Sequence, residues 1–307
     1  MPGGKCAVVN NVAIPAGFET RVLRDEPMSR HTSWHVGGPA DAWFAPRDSD
    51  ELSGFLRHLP PAVPVTWVGL GSNLLVRDGG IRGVVISVHG ILNALERVGD
   101  LMVRAEAGVA CARLGRQCAK WQLGPADFFA GIPGTIGGAL AMNAGAWGAE
   151  TWPFVVEVEV IDRGGERHKR AATEYRHAYR SVTPPVAGEW FLAATFRFES
   201  RPDASTDSIR RLLERRHAAQ PIGEWSCGSV FTNPPGGHAA KLIESAGLKG
   251  HRIGGASVST KHANFIINDG QATASDLEAL VRHVQETVQR VHGVRLMPEV
   301  RMIGEAA

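Results

Sequence analysis

The sequence predicts a mixed α+β protein of two or three subdomains, and three observations carry that expectation. Its 307 residues, 44% hydrophobic and 21% charged, suffice for a sizeable core at roughly 100–200 residues per domain. Short β-rich runs closed by glycine alternate with capped, amphipathic helical stretches from early in the chain. A cluster of Pro, Asp, Ser and Thr at 200–208 then separates these from a helix-bearing last third.

Up to residue 28 the chain is an unpatterned lead-in. Asp48 and Glu51 form a capping box ahead of Leu52, Phe55, Leu56 and Leu59, so a short amphipathic helix is expected there. Val63–Gly69, Gly83–Val88 and Leu101–Gly108 are rich in Val, Ile and Trp and read as strands, and 110–123 reads as a helix. Phe154–Asp162 and Glu189–Glu199 are two further strands, with Tyr175, Arg176, Tyr179 and Arg180 in the polar piece between them. A helix over 209–219 stops at Pro221. The last helix is expected over 275–292, with Ser275 and Glu278 as its capping box and Gly293 as its stop.

Charge and cysteine content exclude several classes. Thirty-three basic against 31 acidic residues leave a net charge of +2, little drive toward nucleic acid. No stretch approaches the roughly 18 apolar residues of a spanning helix, and no secretory leader is visible, so the expected location is the cytoplasm. Cys6, Cys111, Cys118 and Cys227 lie far apart without a C-x-x-C pair, which points to reduced, packed thiols and no metal site.

Glycine is the compositional outlier, at 36 residues of 307 against a usual share of about 7%. The run VGLGSNLLVRDGGIRG, from Val68, carries Gly69, Gly71, Ser72 and Asn73 directly after a strand. Glycines there permit a tight turn whose N–H groups converge, as phosphate cradles require. Leu74 occupies the third glycine position of G-x-G-x-x-G, so this is not a Rossmann fingerprint, and an ordinary tight turn has the same pattern. GIPGTIGGALAMNAGAWG, from Gly131, holds Gly134, Thr135, Gly137, Gly138 and Asn143; such density calls for close backbone approach, to a flat ligand or to a sheet. CGSVFTNPPG places Ser229 in a turn from which a hydroxyl can enter a cleft. KHANFIIN, from Lys261, and LMPEV with Glu299 complete the set.

Collinear and spaced as they are, these segments resemble the UDP-N-acetylenolpyruvoylglucosamine reductase family over about residues 30–304, most strongly in GSNLLV, GIPGTIGGALAMNAGAWG, GSVFTNP, LIESAGLKG and KHANFIIN. The resemblance implies a vanillyl-alcohol-oxidase-type FAD-binding part of two α+β subdomains, 1–92 and 93–202, followed by an α+β substrate-binding domain, 203–307. It implies bound FAD, held by Gly69, Gly71, Ser72, Asn73, Gly131, Gly134, Thr135, Gly137, Gly138 and Asn143. NADPH enters as co-substrate and leaves, and the enolpyruvyl ether of a UDP sugar takes its place. A family Tyr-Arg pair falls on Tyr179–Arg180 better than on Tyr175–Arg176, by its distance to the strand EWFLAATF. Arg180, Ser229 and Glu299 are then the implied catalytic residues, and Tyr179, Asn233 and Lys261 contact substrate. A monomer is expected.

The sequence departs from the family pattern in four places, one of them Ser181-Val182 after the Tyr-Arg pair, where relatives carry another residue and then Ser. Thr232 stands where relatives carry a lysine, whose contact Lys241, Lys249 or Lys261 could supply. Trp147 replaces a common tyrosine, and the segment after Arg180 is short, as in the family's short-loop type. An oxidase of the same superfamily, or a flavin protein without turnover, remains as an alternative; neither has use for Arg180, Ser229 and Glu299 together.

Overall fold

The structure, a computed structural model, describes residues 12–307; Cys6 lies outside the described residues. The three largest hydrophobic clusters divide the chain. In the first part, strands β1 (Val22–Pro27), β2 (Pro39–Phe44), β3 (Val65–Val68) and β5 (Ile81–Ser87) form a sheet in the order β1-β2-β5-β3. β5 lies parallel to both its neighbours, and β1 antiparallel to β2. The lead-in expected up to residue 28 thus contains a strand. β1 is an edge strand that turns only Val22 and Glu26 inward, so its sequence shows no period-two apolar pattern. Helix α1 (Ser49–His58) packs Leu52, Phe55 and Leu56 onto this sheet, with the Phe55 ring stacked on Phe44 at 4.0 Å. Asp48 caps α1 as expected, but Glu51 does not complete the box: it accepts from Arg21 and Arg47 instead, and the Arg21 hydrogen bond pulls its carboxyl down to about 2.

The second part is an antiparallel sheet. From edge to edge it runs Arg167–Ala171 (β9), Val155–Ile161 (β8), Trp190–Arg197 (β12), Met102–Glu106 (β7) and Leu95–Arg97 (β6). Helices α2 (Cys111–Lys120) and α3 (Ile136–Met142) bury Leu114, Cys118, Ile136 and Leu140 against Val103, Val158 and Phe196. A separate hairpin, β10 (Arg176–Ala178) and β11 (Ser181–Thr183), turns through Tyr179 and Arg180.

The third part holds α4 (Thr206–Ala219), α5 (Ala239–Ser245), the antiparallel strands β13 (Arg252–Ile253), β14 (Ala256–Val258) and β15 (Ile266–Asn268), and the long α6 (Ala274–His292). α6 begins one residue before its expected start, because its cap is Thr273 paired with Asp276. Ser275 and Glu278 serve another purpose: Asp78 accepts from the Ala274 and Ser275 N–H groups, and Glu278 pairs with Arg77 at 2.8 Å. Both partners belong to the first part. Two more ties join these parts. The buried Trp34 donates to the Ile266 carbonyl at 2.8 Å, and the final strand β16 (Arg301–Ile303) runs parallel to β4 (Leu74–Val76). Cys111, Cys118 and Cys227 are buried free thiols.

Candidate active site

A cavity of about 340 Å³, within the range of small-molecule sites, opens where the three parts meet. The first wall is the turn after β3. Gly71 has φ +68°, and a Cβ there would fall inside the His31 carbonyl, so only glycine fits. A Cβ at Gly69 would lie 2.6 Å from Thr135 Oγ1, so the two glycine loops interlock. Ser72 Oγ donates across the gap to the Pro133 carbonyl. The second wall is the segment around α3, capped by Thr135, whose Oγ1 accepts from Gly138 N. Trp147, at φ +53°, lays its ring against Gly131, where a Cβ would sit 2.9 Å from it.

The chemical groups enter from the remaining sides. Arg180 sits at φ +55° in the β10–β11 turn and donates through Nε to Glu299 Oε1 at 2.9 Å. Its other nitrogens reach the carbonyls of Asn143 and Gly145, at 3.4 and 3.3 Å. Glu299 is held through its backbone: its N–H donates to Val230 O at 2.7 Å, and Asn73 Nδ2 donates to its carbonyl at 3.0 Å. Burial raises the Glu299 carboxyl above the ordinary range, and Arg180 offsets only part of that. Ser229 lines the cavity beside Cys227, after a Gly228 at φ +80°.

The raised Glu299 carboxyl has a thermodynamic consequence. The folded chain holds this proton to higher pH than the unfolded chain, so the group's stabilising contribution is complete below about pH 4.5 and declines as pH rises through the folded value. In Glu299→Gln, the plot of Tm against pH is expected to lose that decline; an unchanged slope would remove the raised carboxyl as its cause.

Of the residues expected to hold FAD, Gly69, Gly71, Ser72, Asn73, Gly131, Gly134, Thr135 and Gly138 line the cavity. Gly137 and Asn143 do not. Gly137 is pressed on Ala107, and Asn143 is fully buried behind the wall with its amide spent on protein partners. Arg180, Ser229 and Glu299 all face the cavity, but Tyr179, Asn233 and Lys261 do not. Tyr179 is half exposed beside Arg180, 5.1 Å from guanidinium to ring. Asn233 Oδ1 accepts from Ala239 N at the start of α5, and Lys261 Nζ donates to the His217 carbonyl at 2.7 Å.

Nor does any of Lys241, Lys249 or Lys261 stand in for the lysine absent at Thr232. Lys249 pairs with Glu244, and the cations on the cavity are the arginines 180, 216 and 301. Sequence reasoning missed Arg216 and Arg301. Arg216, on α4, is mostly buried, donates to Gln220 at 2.7 Å and to the Gly131 carbonyl, and has no carboxylate partner among the described residues. In the sequence it is one charge in an arginine-rich helix face; the signal was its place just before the Gln220–Pro221 stop.

The KHANFIIN segment works through Asn264 instead of Lys261. The buried Asn264 amide accepts from Phe231 N at 3.0 Å and donates to Phe231 O at 2.8 Å, fixing the chain two residues beyond Ser229. Asn264→Ala leaves both backbone groups unpaired and is expected to cost about 2–4 kcal/mol of stability, read by urea unfolding.

Comparison with known proteins places this geometry. The chain matches the model of an FAD binding domain over residues 40–170 and of the UDP-N-acetylenolpyruvoylglucosamine reductase C-terminal domain over residues 220–303. A UDP-N-acetylenolpyruvoylglucosamine reductase of Alkalilimnicola ehrlichii is 56% identical over 282 residues, covering 92% of this chain and 94% of that protein. The chain belongs to the UDP-N-acetylenolpyruvoylglucosamine reductase family. The family member of Methylococcus capsulatus is 52% identical over 92% of the chain and 93% of its own length. The crystal structure of the Thermus caldophilus reductase superposes with a TM-score of 0.78 at 33% identity, covering 92% of this chain and 98% of that one. The FAD-binding part is the pair of α+β subdomains described above, and the α+β domain that follows completes the cavity. The cavity fits FAD in kind: two interlocked glycine loops leave backbone bare along one wall, and three arginines meet one carboxylate on the others.

Proposed function

We propose that this protein reduces the enolpyruvyl ether of UDP-N-acetylglucosamine to UDP-N-acetylmuramate, with NADPH as reductant and bound FAD as carrier, in peptidoglycan precursor synthesis. The observation that carries this reading is the convergence of Arg180, Ser229 and Glu299, from the second and third parts of the chain, on one cavity walled by both glycine loops. FAD, when bound, supplies the hydride delivered to the terminal carbon of the enolpyruvyl group.

The guanidinium of Arg180 holds the substrate carboxylate, into which negative charge moves as the hydride arrives, so its hydrogen bonds strengthen toward the transition state. The Ser229 hydroxyl gives its proton to the adjacent carbon. Glu299 is paired with Arg180 in the free protein; a substrate carboxylate that takes over Arg180 leaves Glu299 buried without its cation. That favours the protonated acid, which backs Ser229 from a segment bonded to Val230. Gly131, Trp147 and Phe265 also line the cavity.

Among the described residues no helix is long and apolar enough to cross a membrane. A monomer in the cytoplasm, where its nucleotide substrates are water-borne, belongs to the same reading. The test is anaerobic stopped-flow absorbance: NADPH bleaches the flavin band, and the enolpyruvyl substrate restores it. Bleaching without recovery would overturn the substrate, and a protein that takes up no FAD would overturn the whole reading. Sedimentation velocity checks the monomer.

A further inference from the structure

We propose that Asn143 is a positioning residue for Arg180: its buried amide fixes the turn that carries the guanidinium against the flavin-side wall of the cavity. The inference rests on the reductase reading and deepens it. Asn143 ends α3 in the left-handed conformation, φ +46°, with no solvent exposure. Every polar atom of its side chain is used. Nδ2 donates to Glu150 Oε2 at 2.7 Å and to the Ala178 carbonyl at 3.1 Å, and Oδ1 accepts from Trp152 N at 3.0 Å. The amide orientation follows from its partners, since the reversed amide would aim an oxygen at two acceptors. The Asn143 main-chain carbonyl in turn accepts from Arg180 Nη1.

Ala178 immediately precedes the turn Tyr179–Arg180, and the β10–β11 hairpin has little packing of its own. Arg176, His177, Ala178, Ser181 and Thr183 are all exposed. Besides the bonds made by Arg180 itself, the hairpin is held by the Asn143 bond, by His177 stacked on Trp152 at 5.9 Å, and by Val182 packed against the core of the second part. Trp152 is also the residue whose N–H Asn143 accepts, so one amide joins the end of α3, the 150–152 segment and the root of the turn. Arg180 adopts a positive φ that a non-glycine residue holds only when its surroundings impose it. Those surroundings are Asn143 on one side and Glu299 on the other.

The test separates positioning from general support. Asn143→Gly keeps the left-handed backbone and removes the amide; Asn143→Asp keeps the size and the acceptor for Trp152 while replacing the donor. Both are measured as purified holoenzyme for FAD content and for each half-reaction, alone and combined with Arg180→Ala. The expected result is normal FAD content, bleaching by NADPH within about twofold of wild type, and recovery by the enolpyruvyl substrate slowed by about tenfold to a hundredfold, with a raised KM. On the Arg180→Ala background, the Asn143 substitutions are expected to add nothing, because they act through that side chain. Unchanged recovery, equal loss in both half-reactions, full additivity with Arg180→Ala, or loss of FAD from both variants would each overturn the proposal. Failure of the wild-type protein to recover would instead overturn the reductase reading beneath it.

Discussion

Ser229→Ala is expected to leave bleaching by NADPH nearly intact and to slow recovery by the enolpyruvyl substrate by roughly 10²–10⁴-fold, the usual worth of a positioned proton donor. The asymmetry is the point. NADPH delivers hydride without needing a proton from Ser229, whereas the second half-reaction finishes only when a carbon is protonated. Ser229 lies between Gly228, at φ +80°, and Val230, whose N–H and carbonyl are taken by Asn264 and Glu299. Removing the hydroxyl therefore leaves the strand in place. Equal slowing of both phases in stopped flow would show that Ser229 supports the cavity and donates no proton.

Arg180→Ala is expected to raise the KM for the enolpyruvyl substrate and to lower kcat by roughly 10²–10³-fold, in line with loss of one preorganised donor to a developing anion. Two effects combine. The substrate carboxylate loses its fork, and Glu299, mostly buried, loses the cation that pairs with it at 2.9 Å. Arg180→Lys keeps a charge but not the planar pair of donors, so it recovers little. Arg176→Ala is the control: Arg176 is exposed on β10 and should leave both constants near wild type. A loss in Arg176→Ala with Arg180→Ala active would reverse the assignment of the Tyr-Arg pair.

Local grammar made much of the fold legible. Helices α1, α2, α4 and α6 and the strands β3, β5, β7, β8 and β12 show in capping residues, apolar spacing and glycine stops, whereas β1, β2, β6 and β9 do not. What did not show was long-range pairing. β1 reads as lead-in because an edge strand needs few apolar residues, and Ser275 reads as a cap although its N–H, with that of Ala274, is taken by Asp78, nearly 200 positions away in sequence. At the site, the two glycine loops, Arg180, Ser229 and Glu299 could be named from motifs. Asn143 and Lys261 sit in equally distinctive motifs, yet their side chains turn into the protein or toward a helix end, and a one-dimensional pattern does not record direction. Arg216 faces the cavity from a helix whose charges look uniformly solvated in sequence.

The pairing of β16 with β4, together with the Asn73–Glu299 hydrogen bond, spans 226 positions of chain. On the ribosome this sets an order of events. The first two parts can gather their own sheets as they emerge, but the turn at 69–73 cannot gain its backing, nor the cavity its Glu299 carboxylate, until residues 299–303 have left the exit tunnel. Closing so long a loop carries a high entropic cost that only finished domains can offset. Cofactor capture thus waits for the third part of the chain, and a nascent chain stalled short of Glu299 would present both glycine loops with nothing to lock them.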